Sequence, residues 1–370
     1  MYRPPTLDKT TDSAIMHHNR LAGRIFKAVV ESQSKVDCSI SVGAYCIIRS
    51  VAPIVQGAAD KTASAVRGVK AFIDDPSLKP KGKNLKTAVR VYTGGKSLNY
   101  KQPDYVITSK KKNWHKAAKE IDKKASARMG SPSDKGQEID GSTTLSIVGT
   151  TVFEDKWSED NNFEKSEDIL FYTRGEGEKK TPAIRATVNG VVRSSMEGEL
   201  CAEIIRLGMT SGAFYWAVMP KIPANKEDLM DLADTIDWGT LPYTFRKTGS
   251  AVVYLPKFKT ENNYDHLEKI LSKAKAGDSM GISTLFCPDR NLSSIFKDSL
   301  FSSEDVKVSS RSKIDVMKNC DRRKQVNRGN DSQRKIYIKK ELKINKPFLF
   351  VHVAENGVII DMGVYLKPTV

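Results

Sequence analysis

The feature of this sequence that most constrains its fold is a pair of short apolar runs near the C-terminus. They cover residues 348–353 and 358–365 and are separated by Asn356-Gly357. Asn and Gly tolerate the positive φ angles of a type I′ turn, so the runs predict a β-hairpin within residues 345–366. Each run carries apolar side chains on both faces, whereas a solvent-facing ribbon alternates apolar and polar residues. We therefore predict a core hairpin that is covered on both sides.

Length and composition exclude several classes of protein. The chain has 370 residues, of which 39% are hydrophobic, enough for one large core or two average ones. Its uninterrupted apolar runs are far too short to span a membrane. The five cysteines are odd in number and lack CxxC spacing, which argues against a disulfide framework and a zinc knuckle. No apolar leader follows Met1, so we expect an intracellular protein, or an extracellular one if a signal peptide preceded this numbering.

Segments that imitate catalytic motifs fail on their spacing. Gly95-Lys96-Ser97 resembles the end of a phosphate-binding loop, but the first glycine of that motif would fall at Arg90. Residues 174–177 lack the third glycine of a dinucleotide-binding loop, so we predict a surface turn. The five histidines are scattered, without an HExxH or nucleophile-elbow pattern. The sequence therefore predicts neither an enzyme nor a protein that needs a cofactor or metal.

Helical and extended segments alternate in a recognisable order. Leu21, Ile25, Phe26 and Val29 fall at helical spacing. Further helices are predicted at 45–55, 116–129, 227–236 and 265–275, the last with Asp265 as its N-cap. Strands are predicted at 88–92, 145–153, 183–186, 191–193, 200–207 and 214–219. The chain thus mixes helices with many short strands.

Three of these segments, in order along the chain, resemble the serpin family. Residues 145–153 followed by Trp157 are similar to the long central strand of the family's sheet A and the tryptophan at its top. Residues 256–267, and then 346–350 with the terminal hairpin, match two further family segments. The resemblance implies an α+β fold with three mainly antiparallel β-sheets, about eight helices and an exposed reactive-centre loop. It also implies a single domain over residues 1–370, with the loop region at 318–343.

One conserved feature of serpins is not matched. The family keeps a polar cluster beneath the opening of sheet A, built from the second serine of a Ser-Pro-x-Ser turn, a strand asparagine and a histidine. In this chain the turn reads 41–44 as Ser-Val-Gly-Ala, and the three positions align with Ala44, Gly149 and Ser310. The resemblance therefore implies that the family scaffold is present while this cluster is not.

The reactive-centre loop departs further from the family. In an inhibitory serpin, cleavage lets the loop insert as a new strand in sheet A, which requires a hinge of small, mostly uncharged residues because alternate side chains become buried. The alignment places the scissile bond at Arg334-Lys335, which a trypsin-like protease would accept. The aligned hinge consists of Lys318, Asn319, Cys320, Asp321, Arg322 and Arg323.

Two functions of different kinds follow from this loop. The leading one is a non-inhibitory or impaired serpin that acts through binding, because the hinge is charged. The alternative is a suicide inhibitor of trypsin-like serine proteases with Arg334 as its basic reactive-site residue. A trypsin-like protease is a partner in both cases. In the first case it cuts this protein as a substrate, and in the second this protein traps it.

A local excess of positive charge suggests a polyanionic partner. Residues 79–128 contain fifteen Lys and Arg against three acidic residues, an excess of twelve positive charges out of the formal +16. Such a cluster is a footprint for nucleic acid or a sulfated glycan, and a merely solvated lysine face is the alternative. The candidate residues are Lys110, Lys111, Lys112, Lys116, Lys119, Lys123 and Lys124.

Overall fold

The α-helices concentrate in the first part of the chain. The structure, a computed structural model, describes residues 9–34, 38–80, 85–100, 105–108, 143–153, 155, 157, 161–188, 192–196, 202–243, 251–273, 281–287, 289–296, 306–315 and 341–368. Within these ranges the α-helices are α1 (Lys9–Ser32), α2 (Ala44–Gln56), α3 (Asp60–Ala65), α4 (Arg67–Phe72), α5 (Lys226–Thr235) and α6 (Leu267–Ser272). Short 3-10 helices cover Pro76–Leu78, Leu241–Tyr243 and Ile282–Phe286. About eight helices were predicted, and the one expected at 116–129 lies outside the described residues.

The described strands form three sheets. They are β1 (Ser39–Val42), β2 (Leu85–Tyr92), β3 (Tyr105–Thr108), β4 (Leu145–Phe153), β5 (Asn161–Thr173), β6 (Gly177–Val188), β7 (Val192–Met196), β8 (Ala202–Gly208), β9 (Phe214–Pro220), β10 (Ala251–Pro256), β11 (Lys259–Tyr264), β12 (Val306–Asp315), β13 (Glu341–Lys343), β14 (Phe348–Val353) and β15 (Ile359–Tyr365). The six-stranded sheet has the order β1-β15-β14-β9-β8-β7, the four-stranded sheet β13-β10-β6-β5, and the five-stranded sheet β11-β12-β4-β2-β3. The predicted strand at 145–153 coincides with β4.

Helices α1 and α2 carry much of the core. Ile15, Leu21, Phe26 and Val29 of α1 are at most 1% exposed and recur at the spacing of one helix face. Helix α2 is buried on nearly all sides, because it lies between two sheets and contacts β4 on one side and β15 on the other. No helix in the described part of the chain is long and apolar enough to cross a membrane.

The predicted core hairpin is confirmed. Strands β14 and β15 pair antiparallel, and every residue of both strands is buried. Aromatic rings fill the space beside the hairpin, with the Phe258 ring 5.1 Å from that of Phe350 and 4.9 Å from that of Tyr365. The hairpin is therefore a fixed, central part of the core, held from both faces.

The turn of this hairpin differs from the predicted type I′. Gly357 N donates to Ala354 O at 2.9 Å and Ala354 N donates to Val358 O at 2.8 Å, which closes a loop of three residues. Only Gly357 has a positive φ, 88°, so this is a turn followed by a glycine bulge. Asn356 instead donates its side-chain amide to the Ser77 carbonyl at 2.7 Å. The asparagine anchors the loop to a neighbouring segment and is not needed for positive φ.

The predicted N-cap of α6 is also wrong. The helix covers Leu267–Ser272, and its N-cap is His266, whose φ of 58° is left-handed and whose side chain makes no capping bond. An N-cap residue that bonds the first turn normally has extended backbone angles, whereas those of His266 are left-handed. Glu268 in the first turn accepts a hydrogen bond from the backbone N–H of Val308 at 2.9 Å. This contact ties α6 to β12.

Candidate functional site at the centre of the five-stranded sheet

The two parallel strands at the centre of the five-stranded sheet are paired along their whole common length. Val306 of β12 lies opposite Leu145 of β4, Ile314 lies opposite Phe153, and the register between them is unbroken. The outer neighbours of this pair, β2 and β11, are antiparallel to it. Another strand can enter here only if the ladder between β4 and β12 parts, and we call this line the β4–β12 boundary.

The side of the boundary that faces α2 is lined by uncharged side chains. A Cβ atom built on Gly149 would lie 2.4 Å from Ser50 Oγ of α2, which identifies the covered face. Side chains alternate along a strand, so every second residue shares this face. Among the described side chains they are Leu145, Ile147, Gly149, Thr151 and Phe153 from β4, and Val306, Val308, Ser310 and Ser312 from β12. All are apolar, glycine or hydroxyl residues.

The three positions aligned with the family's polar cluster come close together but form no cluster. Gly149 and Ser310 are direct partners across the boundary. Gly149 has no side chain, and Ser310 Oγ is buried with no hydrogen-bond partner among the described residues. Ala44 begins α2 and is fully buried, next to Gly43, where an added Cβ would lie 3.0 Å from Thr151 Oγ1. The three positions thus lie near one another without polar contacts between their side chains.

A different polar cluster, which the sequence reasoning missed, is centred on Ser41 of β1. Ser41 Oγ accepts hydrogen bonds from Thr260 Oγ1 at 2.7 Å and from Asn262 Nδ2 at 2.9 Å. Its backbone carbonyl accepts from Tyr264 Oη at 2.6 Å and from Ser312 Oγ at 3.2 Å. Burial raises the pKa of Tyr264, so its hydroxyl stays protonated and remains a donor. We call these five residues the Ser41 cluster.

The Ser41 cluster fastens only one side of the boundary. Its hydrogen bonds join β1 to β11 and β12, whereas Thr151 Oγ1 on β4 has no hydrogen-bond partner among the described residues. A sequence signal for it did exist, because Thr260, Asn262 and Tyr264 alternate and therefore share one strand face. Their common partner Ser41 lies more than 200 residues earlier in the chain. The sequence alone therefore did not show which residue these side chains would bond.

Trp157 lies just beyond the end of β4, and it is 6% exposed. It forms an isolated antiparallel bridge with Met209, and its ring makes an edge contact with Tyr215 at 5.7 Å. Asp155, also buried, accepts hydrogen bonds from the hydroxyl of Thr210 at 2.8 Å and from that of Ser211. The end of β4 is therefore connected to the six-stranded sheet through the β8–β9 turn.

A buried ionisable pair, also missed from the sequence, lies in the core hairpin. His352 and Asp361 face each other across β14 and β15, with Nδ1 of the histidine 2.8 Å from Oδ1 of the aspartate. Their side chains are 2% and 0% exposed. The imidazole lies against Phe153 at 4.7 Å and Tyr215 at 5.1 Å between ring centroids. They are the one histidine and the one aspartate of two otherwise largely apolar runs. This isolation within apolar sequence could have indicated a buried pair.

The remaining sequence-predicted site residues lie outside the described part of the chain. They are the hinge residues Lys318, Asn319, Cys320, Asp321, Arg322 and Arg323, the candidate scissile pair Arg334 and Lys335, and the candidate polyanion-binding residues Lys110, Lys111, Lys112, Lys116, Lys119, Lys123 and Lys124. The strand that leads to the hinge, β12, ends at Asp315.

Comparison with known proteins agrees with this architecture. The family model described as "Serpin (serine protease inhibitor)" matches residues 109–368. Among solved structures, Serpin48 of the insect Tenebrio molitor has a TM-score of 0.70 and 18% sequence identity, covering 98% of this chain and 100% of its own. The mouse protein-Z-dependent protease inhibitor has a TM-score of 0.71 and 15% identity, covering 97% of this chain and 98% of its own.

The native state of a thermophilic serpin, tengpin, is similar to the same extent. Its TM-score is 0.73 at 14% identity, with 99% of this chain and 96% of that chain covered. Among curated proteins, none matches the sequence. Identities this low establish the fold alone, but the family model covers well over half of the chain. The chain belongs to the serpin family.

Proposed function

We propose that this protein acts through binding and is not an efficient suicide inhibitor. Serpins are generally protease inhibitors and not catalytic enzymes. The observation that carries the proposal is the mismatch between the aligned hinge and the place that would receive it. The hinge includes Lys318, Asp321, Arg322 and Arg323, whereas the α2-facing side of the β4–β12 boundary is lined by apolar, glycine and hydroxyl residues.

The cost of inserting such a hinge follows from the alternation of side chains along a strand. If the loop entered as a strand, Asp321, Arg323 and Gln325 would share one face, and Arg322 and Lys324 the other. Whichever set turned toward α2 would bury charged groups beside side chains that offer no countercharge. Burying an unpaired polar group costs on the order of 1 to 3 kcal/mol, and burying a charge costs more. Asp321 and Arg323 can pair with each other, but buried pairs often fail to offset their desolvation.

Even a part of this desolvation cost would decide the outcome, because loop insertion competes in rate with hydrolysis. Inhibition by loop insertion is a race between insertion and hydrolysis of the acyl-enzyme. About 1.4 kcal/mol added to the insertion barrier slows insertion tenfold and favours release of active protease. The proposed behaviour is therefore that of a substrate, cut in its loop and released.

Incubation with trypsin tests this directly. We expect cleavage near Arg334, no SDS-stable complex, and a cleaved chain that melts close to the intact one. A matched variant, D321A/R322T/R323A, removes three of the four charges from the hinge and should give a higher melting temperature after cleavage. An SDS-stable complex with the natural sequence would overturn the proposal in favour of the alternative, an inhibitor of trypsin-like proteases that uses Arg334.

A polyanion is the proposed binding partner, on the strength of the charge excess in residues 79–128. Each phosphate or sulfate that a lysine neutralises releases counterions, so affinity should fall steeply with salt. Heparin affinity measured at two salt concentrations is expected to drop in the K110A/K111A/K112A variant. K179A/K180A, which alters exposed lysines of β6, is the matched control and should bind normally. Equal binding by both variants, or no binding at low salt, would refute this partner.

A further inference from the structure

A groove formed by helices lies away from the β4–β12 boundary and has no part in the proposed function. It runs between α1, the end of α5 and α6, and its volume is about 890 Å³. Sites for small organic molecules are typically about 300 to 1,000 Å³. We call it the α1–α6 groove.

The floor of the α1–α6 groove is apolar and rigidly built. Leu21, Ile25, Trp238 and Leu271 line it and are at most 4% exposed. The indole of Trp238 is fixed by a hydrogen bond from Nε1 to the Ala233 carbonyl at 3.0 Å. It also packs directly on α1, at a glycine: a Cβ on residue 23 would lie 2.2 Å from its ring. The floor is therefore a preformed surface and not a gap between loosely packed helices.

One wall of the groove is electrically balanced. Arg20 forms a bidentate pair with Asp237, with both N···O distances 2.9 Å, and Lys27 bonds Asp234 and lies 3.6 Å from Glu31. The Arg20 guanidinium lowers the pKa of Asp237 to about 2, so this pair is ionised at any physiological pH. The three carboxylates that line the groove are all committed to these two cations.

The opposite wall carries positive charge. Lys269 and Lys273 of the α6 segment are four residues apart, both exposed, and both line the groove. Residues at this spacing share one helix face. Among the described residues, no carboxylate forms a salt bridge with either lysine. An apolar floor thus meets a rim with two adjacent ammonium groups.

We propose that the α1–α6 groove binds a small amphipathic carboxylate of the fatty-acid class. Its hydrocarbon chain would lie over the partly exposed apolar side chains Ala28 and Ile270, and its carboxylate would lie between Lys269 and Lys273. A neutral apolar molecule would gain nothing from the two lysines, and a sulfated glycan or inorganic phosphate would leave Ala28 and Ile270 in contact with water. A molecule with one anionic end and one apolar end matches both the cationic wall and the apolar surface.

The test uses cis-parinaric acid, a fluorescent fatty acid, and the full chain. We expect saturable binding with enhanced probe fluorescence and at least a tenfold weaker affinity for K269A/K273A. The control K179A/K180A should bind as the natural protein does. The methyl ester of the probe, which lacks the charge, should bind weakly and equally to the natural protein and to K269A/K273A.

A second variant tests the floor. Ala28 lines the groove on α1 and is partly exposed, so A28W places an indole in the volume that the hydrocarbon chain would occupy. It should abolish probe binding while leaving the thermal melt of the protein close to that of the natural chain. Absence of saturable binding, an ester that binds as tightly as the acid, or unchanged affinity in K269A/K273A would each overturn the proposal. If A28W does not fold, the lysine variants and the ester decide the question.

Discussion

The β14–β15 hairpin and the β4–β12 boundary are both pairs of adjacent, buried strands, but they are held together differently. Across the hairpin, large aromatic rings interlock and a buried His352–Asp361 pair joins the strands. Across the boundary, Gly149 faces Ser310, and Ser310 Oγ and Thr151 Oγ1 lack hydrogen-bond partners in the described part of the chain. Side chains therefore lock the hairpin, whereas the boundary depends chiefly on its backbone ladder.

This contrast distinguishes the hairpin, which stabilises the fold, from the boundary, whose two strands can part at lower cost. Parting the hairpin would expose aromatic surface and split a buried ionisable pair, both of which are costly. Parting the boundary would break backbone hydrogen bonds that an incoming strand can replace. The sheet itself would then permit insertion, and in the function proposed above the obstacle is the charged hinge.

The largest effect is expected from splitting the buried pair. Asp361→Leu leaves His352 without its partner in an apolar core, and removal of one member of such a pair costs about 3 to 5 kcal/mol. The double variant H352L/D361L replaces both polar groups and should recover most of that loss. Urea unfolding measures the free energy of unfolding of both variants. If the single variant were as stable as the double, the pair would contribute nothing to locking the hairpin.

Acid should weaken the attachment of the hairpin to α1. His18 is buried, with Nε2 3.2 Å from the Ile359 carbonyl, and burial followed by the nearby Arg49 charge lowers its pKa to about 4. The unfolded chain binds a proton near pH 6.5, so stability is lost as pH falls from about 6.5 to 4, by roughly 3 kcal/mol for this group. His18→Gln should flatten the dependence of unfolding free energy on pH in that window. An unchanged slope would show that His18 is not the titrating group.

At the boundary, an enlarged side chain should be costly for steric reasons. Gly149→Asn brings a Cβ to 2.4 Å from Ser50 Oγ and 2.9 Å from Cys46 Sγ. Overpacking of this kind typically costs about 1 to 3 kcal/mol. Adding Ser50→Gly should restore part of the loss, as measured by chemical denaturation. Full stability of Gly149→Asn alone would mean that α2 moves away from β4 easily.

The smallest effects should reveal the asymmetry of the boundary. Ser41→Ala leaves Thr260 and Asn262 without their acceptor and should cost about 1 to 2 kcal/mol. Thr151→Val replaces a buried hydroxyl that lacks a described partner and should be neutral or slightly stabilising, within about 1 kcal/mol. The two variants are matched in chemistry and differ in which side of the boundary they alter. Equal losses would contradict the one-sided fastening by the Ser41 cluster.

Local patterns predicted the elements of the fold better than the contacts between them. Strand β4 and the hairpin were predictable because their β-branched and aromatic runs are long and bounded by turn residues. The turn type was not, since Asn356 is used to bond the Ser77 carbonyl, a distant tertiary contact. The Ser41 cluster requires β1 of the six-stranded sheet to pack against β11 and β12 of the five-stranded sheet, which no local pattern contains. Gly149 and Ser310, which the alignment assigned to one cluster, are cross-strand partners.

The closeness of α2 to Gly149 restricts the evolutionary routes open to this protein. An asparagine at this position would carry a steric cost, because its Cβ would collide with Ser50 and Cys46. Smaller residues at those two positions alone would leave an unfilled space beneath the sheet. The route therefore passes through less stable intermediates. Glycine at position 149 and the close packing of α2 therefore constrain each other.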